Sequence, residues 1–172
     1  MFPVFSVPDN AATLQEQLGT KPKFWFEHDD FGSCLFKEGR PNTGDDWSEK
    51  VACELCGLIG LPHANYHLAI WRGHRGVISP TFISPGGALV HGKLLMVRVV
   101  RDYQGSRFFH ARQHTLRRVL AIMRTERFKP PVGWQGLPGV ETALDVFVGY
   151  LMLDAWIANQ DRHHDNWALV VT

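Results

Sequence analysis

The segment Asn159-Gln-Asp-Arg-His-His-Asp-Asn166 packs two carboxylates, two imidazoles and three side-chain amides into eight positions. Within it Asp161 and Asn166 stand five residues apart. Phosphoryl transfer uses such a pair: a carboxylate to orient and deprotonate a hydroxyl, and a nearby side-chain oxygen to hold Mg²⁺ on the phosphates. A second pair lies upstream, where Lys37 closes a strand-like run and Glu49 falls in a helical one. A strand lysine on nucleotide phosphates, positioned by a helix glutamate, belongs to the same chemistry. Each residue also has an ordinary use. The 159–166 segment can be a hydrated loop, Lys37 an edge-strand lysine, and Glu49 the acid of a capping box.

Certain elements must position these groups. Lys23-Phe-Trp-Phe and Cys34-Leu-Phe-Lys37 read as two short strands joined by the turn residues His28-Asp-Asp-Phe-Gly-Ser, a β-hairpin. After the loop Arg40-Pro-Asn-Thr-Gly44, Asp46 is expected to cap a helix, with Glu49 completing the capping box. Trp47, Val51, Leu55, Leu58 and Ile59 keep helical spacing, and Gly60 and Pro62 end the run. A second hairpin is expected over 66–82, turning at 72–76, then a break at Pro85-Gly-Gly87 and a short strand or connector over 94–100. From Gln113 the pattern is helical, with Leu116, Val119, Leu120 and Met123 on one stripe, until Lys129-Pro-Pro131. Thr142 is expected to cap a helix over 143–158, apolar on nearly every side and therefore buried. The 159–166 loop follows, then a strand over 167–171. Strands first and helices later imply an α+β fold, not a repeating βαβ sheet.

The whole-chain numbers fit this picture. A length of 172 residues, 45% hydrophobic and 20% charged, allows one domain or part of a larger protein and excludes a disordered chain. A net charge of +1 excludes a polycation that binds nucleic acid by bulk charge. That total hides eight acids against three bases over 27–54, and seven bases against Glu126 over 107–129. Three cysteines, Cys34, Cys53 and Cys56, are too few for a disulfide framework, and the N-terminus lacks the character of a signal peptide. The longest apolar run contains Asp154 and is too short to span a bilayer. A cytoplasmic protein is expected, without a membrane or direct nucleic-acid partner.

Taken in order, these motifs resemble the HipA-like serine/threonine kinases from about Gly19 onward. Gly19-Thr-Lys-Pro-Lys23 is similar to that family's glycine-containing loop. Lys37 through Glu49 resembles the stretch from nucleotide lysine to helix glutamate, and Glu54 through Pro62 the end of that helix. Asp145-Val-Phe-Val-Gly-Tyr150 through Asn166 resembles the helix and catalytic loop. The form Asp161-Arg-His-x-x-Asn166 is also similar to phosphoinositide kinases.

The resemblance implies a protein-kinase-like two-lobed fold, with a nucleotide-binding lobe over 1–96 and an incomplete helical lobe carrying the catalytic loop over 97–172. It implies ATP and Mg²⁺ as cofactors and a protein substrate with a serine or threonine acceptor. Asp161 would be the general base, His163 a brace for its loop, and Asn166 the Mg²⁺ ligand. Lys37 would contact phosphate with Glu49 as its partner, and Gly19, Thr20 and Lys23 would lie near the phosphates. A toxin–antitoxin context with a DNA-binding antitoxin partner follows from the same resemblance. Kinases of this kind carry a further acid after the loop, to hold Mg²⁺. Residues 167–172 contain none, so either a fragment of a longer kinase or a truncated chain of little or no transfer activity is expected, the truncated version being favoured.

Two other readings use the same residues. In the first, a non-catalytic nucleotide-binding or interaction protein, a pseudokinase, needs no further acid. Arg117, Arg118 and Arg124 on one helix could meet an acidic partner or RNA, although few aromatics interleave them for base stacking. A metal-dependent hydrolase would use His163, His164 and Asp165, or His110 and His114. The zinc-hydrolase motif needs a glutamate beside the first histidine of such a pair, where Ala111 stands. Cys53-x-x-Cys56 lacks a second pair and reads as core packing.

Overall fold

A computed structural model of the chain describes residues 1–12, 14–15, 22–103, 112–131 and 133–171. Gly19, Thr20, His110 and Ala111 lie outside the described residues. The chain divides into two compact units. One comprises Met1–Ile59 and His63–Phe82, the other Gly60–Pro62 and Ile83–Thr172.

The first unit is built on a six-stranded sheet of β1 (Val4–Val7), β2 (Leu14–Gln15), β3 (Lys23–His28), β4 (Gly32–Glu38), β5 (His67–Trp71) and β6 (His74–Pro80). Their order across the sheet is β1-β5-β6-β4-β3-β2. Alternation along β3 and β4 turns Phe24, Phe26, Cys34 and Phe36 inward, where they form a core with Val7, Ala69 and Ile78. Central β6 is buried continuously over 76–79, as a strand covered on both faces must be. Strand β1, not foreseen above, pairs parallel with β5, setting Val4 opposite Leu68.

Helix α1 (Asp45–Leu58) packs on β5 and β6. Asp46 does not cap it. The N-cap is Gly44, in the left-handed region at φ 77°, with no side-chain cap bond. A glycine there lets the chain turn directly from the loop into the helix. Asp46 instead pairs with Arg75 at 2.8 Å, and Asp45 with Arg40 at 3.1 Å. The buried face of α1 also differs from the expected stripe. It carries Lys50, Cys53 and Cys56, while Trp47, Val51, Leu58 and Ile59 are exposed. The small thiols let the helix lie close to the sheet. Lys50 is buried against Glu54, with its ammonium 4.9 Å from the centre of the Phe2 ring.

In the second unit β7 (Ala88–His91) and β8 (Ala168–Val171) form an antiparallel pair, and three helices follow β7: α2 (Gly92–Val99), α3 (Leu116–Met123) and α4 (Ala143–Trp156). The segment expected as a short strand or connector over 94–100 is thus helical through Val99, preceded by a strand the sequence pattern did not reveal. A short apolar run does not separate the two by periodicity. Here the seat of Met96, fully buried beside Val119, Ile122, Met123, Phe147 and Trp167, decides it. Helix α3 starts at Leu116, which is exposed, and Ile122 takes its place in the core.

Thr142 and Asp145 cap α4 reciprocally. Thr142 Oγ1 accepts from Asp145 N at 3.2 Å, and Asp145 Oδ2 accepts from Thr142 N at 2.9 Å. Contrary to expectation, α4 is not covered all round. Val146, Phe147, Leu153 and Asp154 are buried, whereas Val148, Met152 and Trp156, one turn apart in succession, are exposed. Among the described residues no helix is long and apolar enough to cross a membrane.

Candidate active site

In the first unit β4 delivers Lys37 and α1 delivers Glu49, one turn into the helix. Lys37 Nζ lies 3.1 Å from Glu49 Oε2 and 3.0 Å from the hydroxyl of Tyr66, the residue just before β5. The Glu49 carboxylate also acts electrostatically on the Tyr66 hydroxyl, so Lys37, Glu49 and Tyr66 form one electrostatic triangle. Burial pulls the Lys37 ammonium down, but Tyr66 and Glu49 outweigh it and hold Lys37 above the ordinary lysine range. Burial, followed by the Glu49 carboxylate, pushes the Tyr66 phenol up against the opposing pull of Lys37. The result is an ammonium held by a carboxylate and a neutral phenol.

Lys23 belongs to the same face. In the antiparallel pairing of β3 with β4 it stands directly opposite Lys37. Glu49 already offsets part of the repulsion between these like charges, and an anion bound on that face would offset more.

In the second unit the helix end of α4 leads into the 159–166 loop, and β8 follows. Asn166 Nδ2 donates to both the carbonyl and Oδ2 of Asp161, the latter at 2.8 Å. Asn166 N donates to the His163 carbonyl at 2.9 Å. His163 Nδ1 accepts from Asp165 N at 3.2 Å, which assigns the ring proton to Nε2, 3.4 Å from Asp161 Oδ1. The Asp161 side chain is 61% exposed and so open to a reactant. The Asn166 amide uses its nitrogen in these bonds, and its Oδ1 is the atom a hard cation would take.

The loop is held from beneath. Arg162 grips Asp154 of α4 through both carboxylate oxygens at 2.7 Å. His164, fully buried, meets the Tyr103 hydroxyl at 2.6 Å through Nδ1. The first two N–H groups of α2 serve the loop as well. Gly92 N donates to the Trp167 carbonyl and Lys93 N to the His164 carbonyl, both at 2.8 Å. A side chain at Gly92 would meet the Trp167 indole at 2.1 Å, so only glycine admits that ring. Trp167 Nε1 in turn donates to His114 Nε2 at 3.2 Å.

The residues singled out in the sequence therefore gather in two groups, each within its own unit: Lys37, Glu49 and Lys23 in one, Asp161, His163 and Asn166 in the other. Tyr66 was missed, because nothing in its neighbourhood of sequence ties it to Lys37. Asp154 and Arg162 were passed over as well. Their eight-residue spacing across a helix end could have suggested a pair. Among the described residues no three His, Cys, Asp or Glu side chains converge to hold a metal ion.

No protein-family model matches the chain, and no curated protein matches it. Among solved structures it is similar to the crystal structure of a Helicobacter pylori proinflammatory kinase, CtkA, with 21% sequence identity and a TM-score of 0.66. The likeness covers 98% of this chain and 52% of that one, so the chain spans about half the length of that structure. The β-rich first unit, the helix that carries Glu49 and the helix–loop–strand around Asp161 thus form a kinase-like α+β fold.

Proposed function

We propose that the chain acts in ATP-dependent phosphoryl transfer, as a HipA-like protein serine/threonine kinase or the nucleotide-binding portion of one. The observation that carries this reading is the Lys37–Glu49 ion pair, made at 3.1 Å between a strand and a helix of a kinase-like fold. When bound, Mg-ATP supplies the transferable γ-phosphoryl group. Lys37 would hold phosphate, with Glu49 and Tyr66 fixing its ammonium, and the register neighbour Lys23 adds a second cation on that face. The fit is one of charge: two facing lysines suit a polyphosphate. Asn166 would give Mg²⁺ its amide oxygen. Asp161 would take the proton of an acceptor hydroxyl, steadied by the His163 Nε2–H. Specificity for a serine or threonine acceptor, a cytoplasmic setting and a DNA-binding antitoxin partner belong to the same proposal and rest on the family resemblance.

Calorimetric titration with Mg-ATP, alongside an assay of phosphate transferred from labelled ATP, tests the reading. Wild-type chain should bind, Lys37→Met should lose at least about tenfold in affinity, and Asp161→Gln should bind almost normally while losing about 10²-fold or more in any transfer. Equal binding by wild type and Lys37→Met would overturn the assignment. Binding without transfer by the wild type would assign the pseudokinase role instead.

A further inference from the structure

We infer that Asp154, although remote from any reactant, is the positioning residue of the 159–166 loop and sets Asp161 and Asn166 through two separate arms. Asp154 lies in the last turns of α4 and is 6% exposed. Its Oδ1 accepts from Asn159 Nδ2 and from Arg162 Nη2, and its Oδ2 from Arg162 Nε, each at 2.7 Å. The first arm runs through Asn159, whose Oδ1 accepts the backbone N–H of Asp161 at 3.1 Å. The second runs through Arg162, whose Nη1 donates to the carbonyl of Asn166 at 3.0 Å. One carboxylate thereby fixes the backbone of both residues that the proposed chemistry needs.

Several facts make this more than a structural ion pair. The chain leaves α4 with Ala158 at φ 55°, in the left-handed region, so the loop starts from a conformation that needs outside support. Asn159 N, donating to the Asp154 carbonyl at 2.8 Å, gives part of it. Burial acts to raise the Asp154 carboxyl, but the hydrogen bonds from Arg162 and Asn159, with the guanidinium charge, outweigh it and keep it ionised. A buried ion pair contributes little net stability compared with apolar packing, yet its bidentate fork fixes direction. The arrangement suits the second layer of a site, where supporting groups hold the reacting ones in place.

The significance of Asp161 and Asn166 rests on the phosphoryl-transfer reading, whereas the two arms do not, and the test separates them. Amide hydrogen exchange, resolved by NMR on the nucleotide-free chain, reads the first arm at the Asp161 N–H it bonds. It reads the second indirectly at the Asn166 N–H, whose bond to the His163 carbonyl slackens when Arg162 releases the Asn166 carbonyl. Asn159→Ala should speed exchange at Asp161 about fivefold or more and leave Asn166 unchanged. Arg162→Lys, which keeps the charge but loses the fork, should do the reverse. Asp154→Asn should loosen both while α4 keeps its protection. If Asp154→Asn fails to fold, the two single-arm variants still decide. Uniform loosening in both, or none in either, would overturn the inference.

Mg²⁺ dependence then tests the consequence. Wherever wild-type chain binds Mg-ATP, Arg162→Lys should raise the Mg²⁺ concentration needed about tenfold, with metal-free ATP affinity unchanged. Unchanged Mg²⁺ dependence would deny Arg162 its role in setting Asn166. Wild-type chain that binds no Mg-ATP would refute the kinase reading alone, leaving the arms to stand or fall on exchange.

Discussion

The Tyr66 hydroxyl stands 3.0 Å from Lys37 Nζ, so the lysine ammonium has a second fixed partner besides Glu49. A cation held by a single flexible carboxylate can swing. Held also by a phenol at the start of a strand, it has one direction.

Tyr66→Phe tests that relationship. Loss of one largely buried hydrogen bond should cost about 1 kcal/mol of stability near neutral pH. The alkaline behaviour carries the sharper signature. Both Lys37 and Tyr66 are raised in the folded state above their ordinary values of 10.5 and 10.0. The folded chain therefore retains protons that the unfolded chain releases, and stability is full below about pH 10 and declines as pH rises through the folded values. Urea denaturation from pH 9 to pH 11 should show this decline in wild type and a shallower one in Tyr66→Phe. Identical slopes would count against the triangle.

Acid should act on the histidines with the opposite sign. Burial, first of all, holds His164, His114 and His67 below the usual 6.5. In the window below 6.5 the unfolded chain binds more protons, so stability present above that pH is lost as pH falls through the folded values. The urea midpoint should be lower at pH 5.5 than at pH 7.5. His114→Gln, which keeps an acceptor for Trp167 Nε1, should flatten part of that dependence. A midpoint that does not move between the two pH values refutes the prediction.

A methyl group at position 92 should disturb the loop from the far side. Gly92→Ala places Cβ against the Trp167 indole, and overpacking of this kind costs about 1–3 kcal/mol. A lowered thermal midpoint is expected, together with a displaced Trp167 indole N–H resonance, because that N–H is bonded to His114. A variant as stable as wild type, with its indole signal unmoved, would show that the contact relaxes without consequence.

What the sequence disclosed was local, and what it concealed was brought together by tertiary packing. Thr142 was legible as a cap because the partner it needs, Asp145, sits only three residues further on. The same kind of reasoning failed at Asp46, where Gly44 enters the helix two residues earlier and Arg75, from another strand, claims the carboxylate. Lys37 and Glu49 were identifiable by residue type and chain order. Tyr66 was not, since only the folding of β5 beside β6, and of β6 beside β4, brings it to them. The α2 segment, Gly-Lys-Leu-Leu-Met-Val-Arg-Val, is rich in apolar residues. Yet Lys93, Leu94, Leu95, Met96 and Arg98 are good helix formers against only two β-branched valines, so composition and the burial of Met96 agree on a helix.

The parallel pairing of β1 with β5 has a kinetic consequence. Strands β3 and β4, and likewise β5 and β6, are antiparallel neighbours joined by short turns, and their loops close cheaply. Strand β1 can dock only once β5 has formed far along the chain, on the outer edge of a sheet already assembled. The amino-terminal strand should therefore be the last piece of that sheet to arrive and the first to leave. With it would go Phe2, so the Lys50 ammonium, one residue beyond Glu49, would lose its aromatic cover before the rest of the sheet opens.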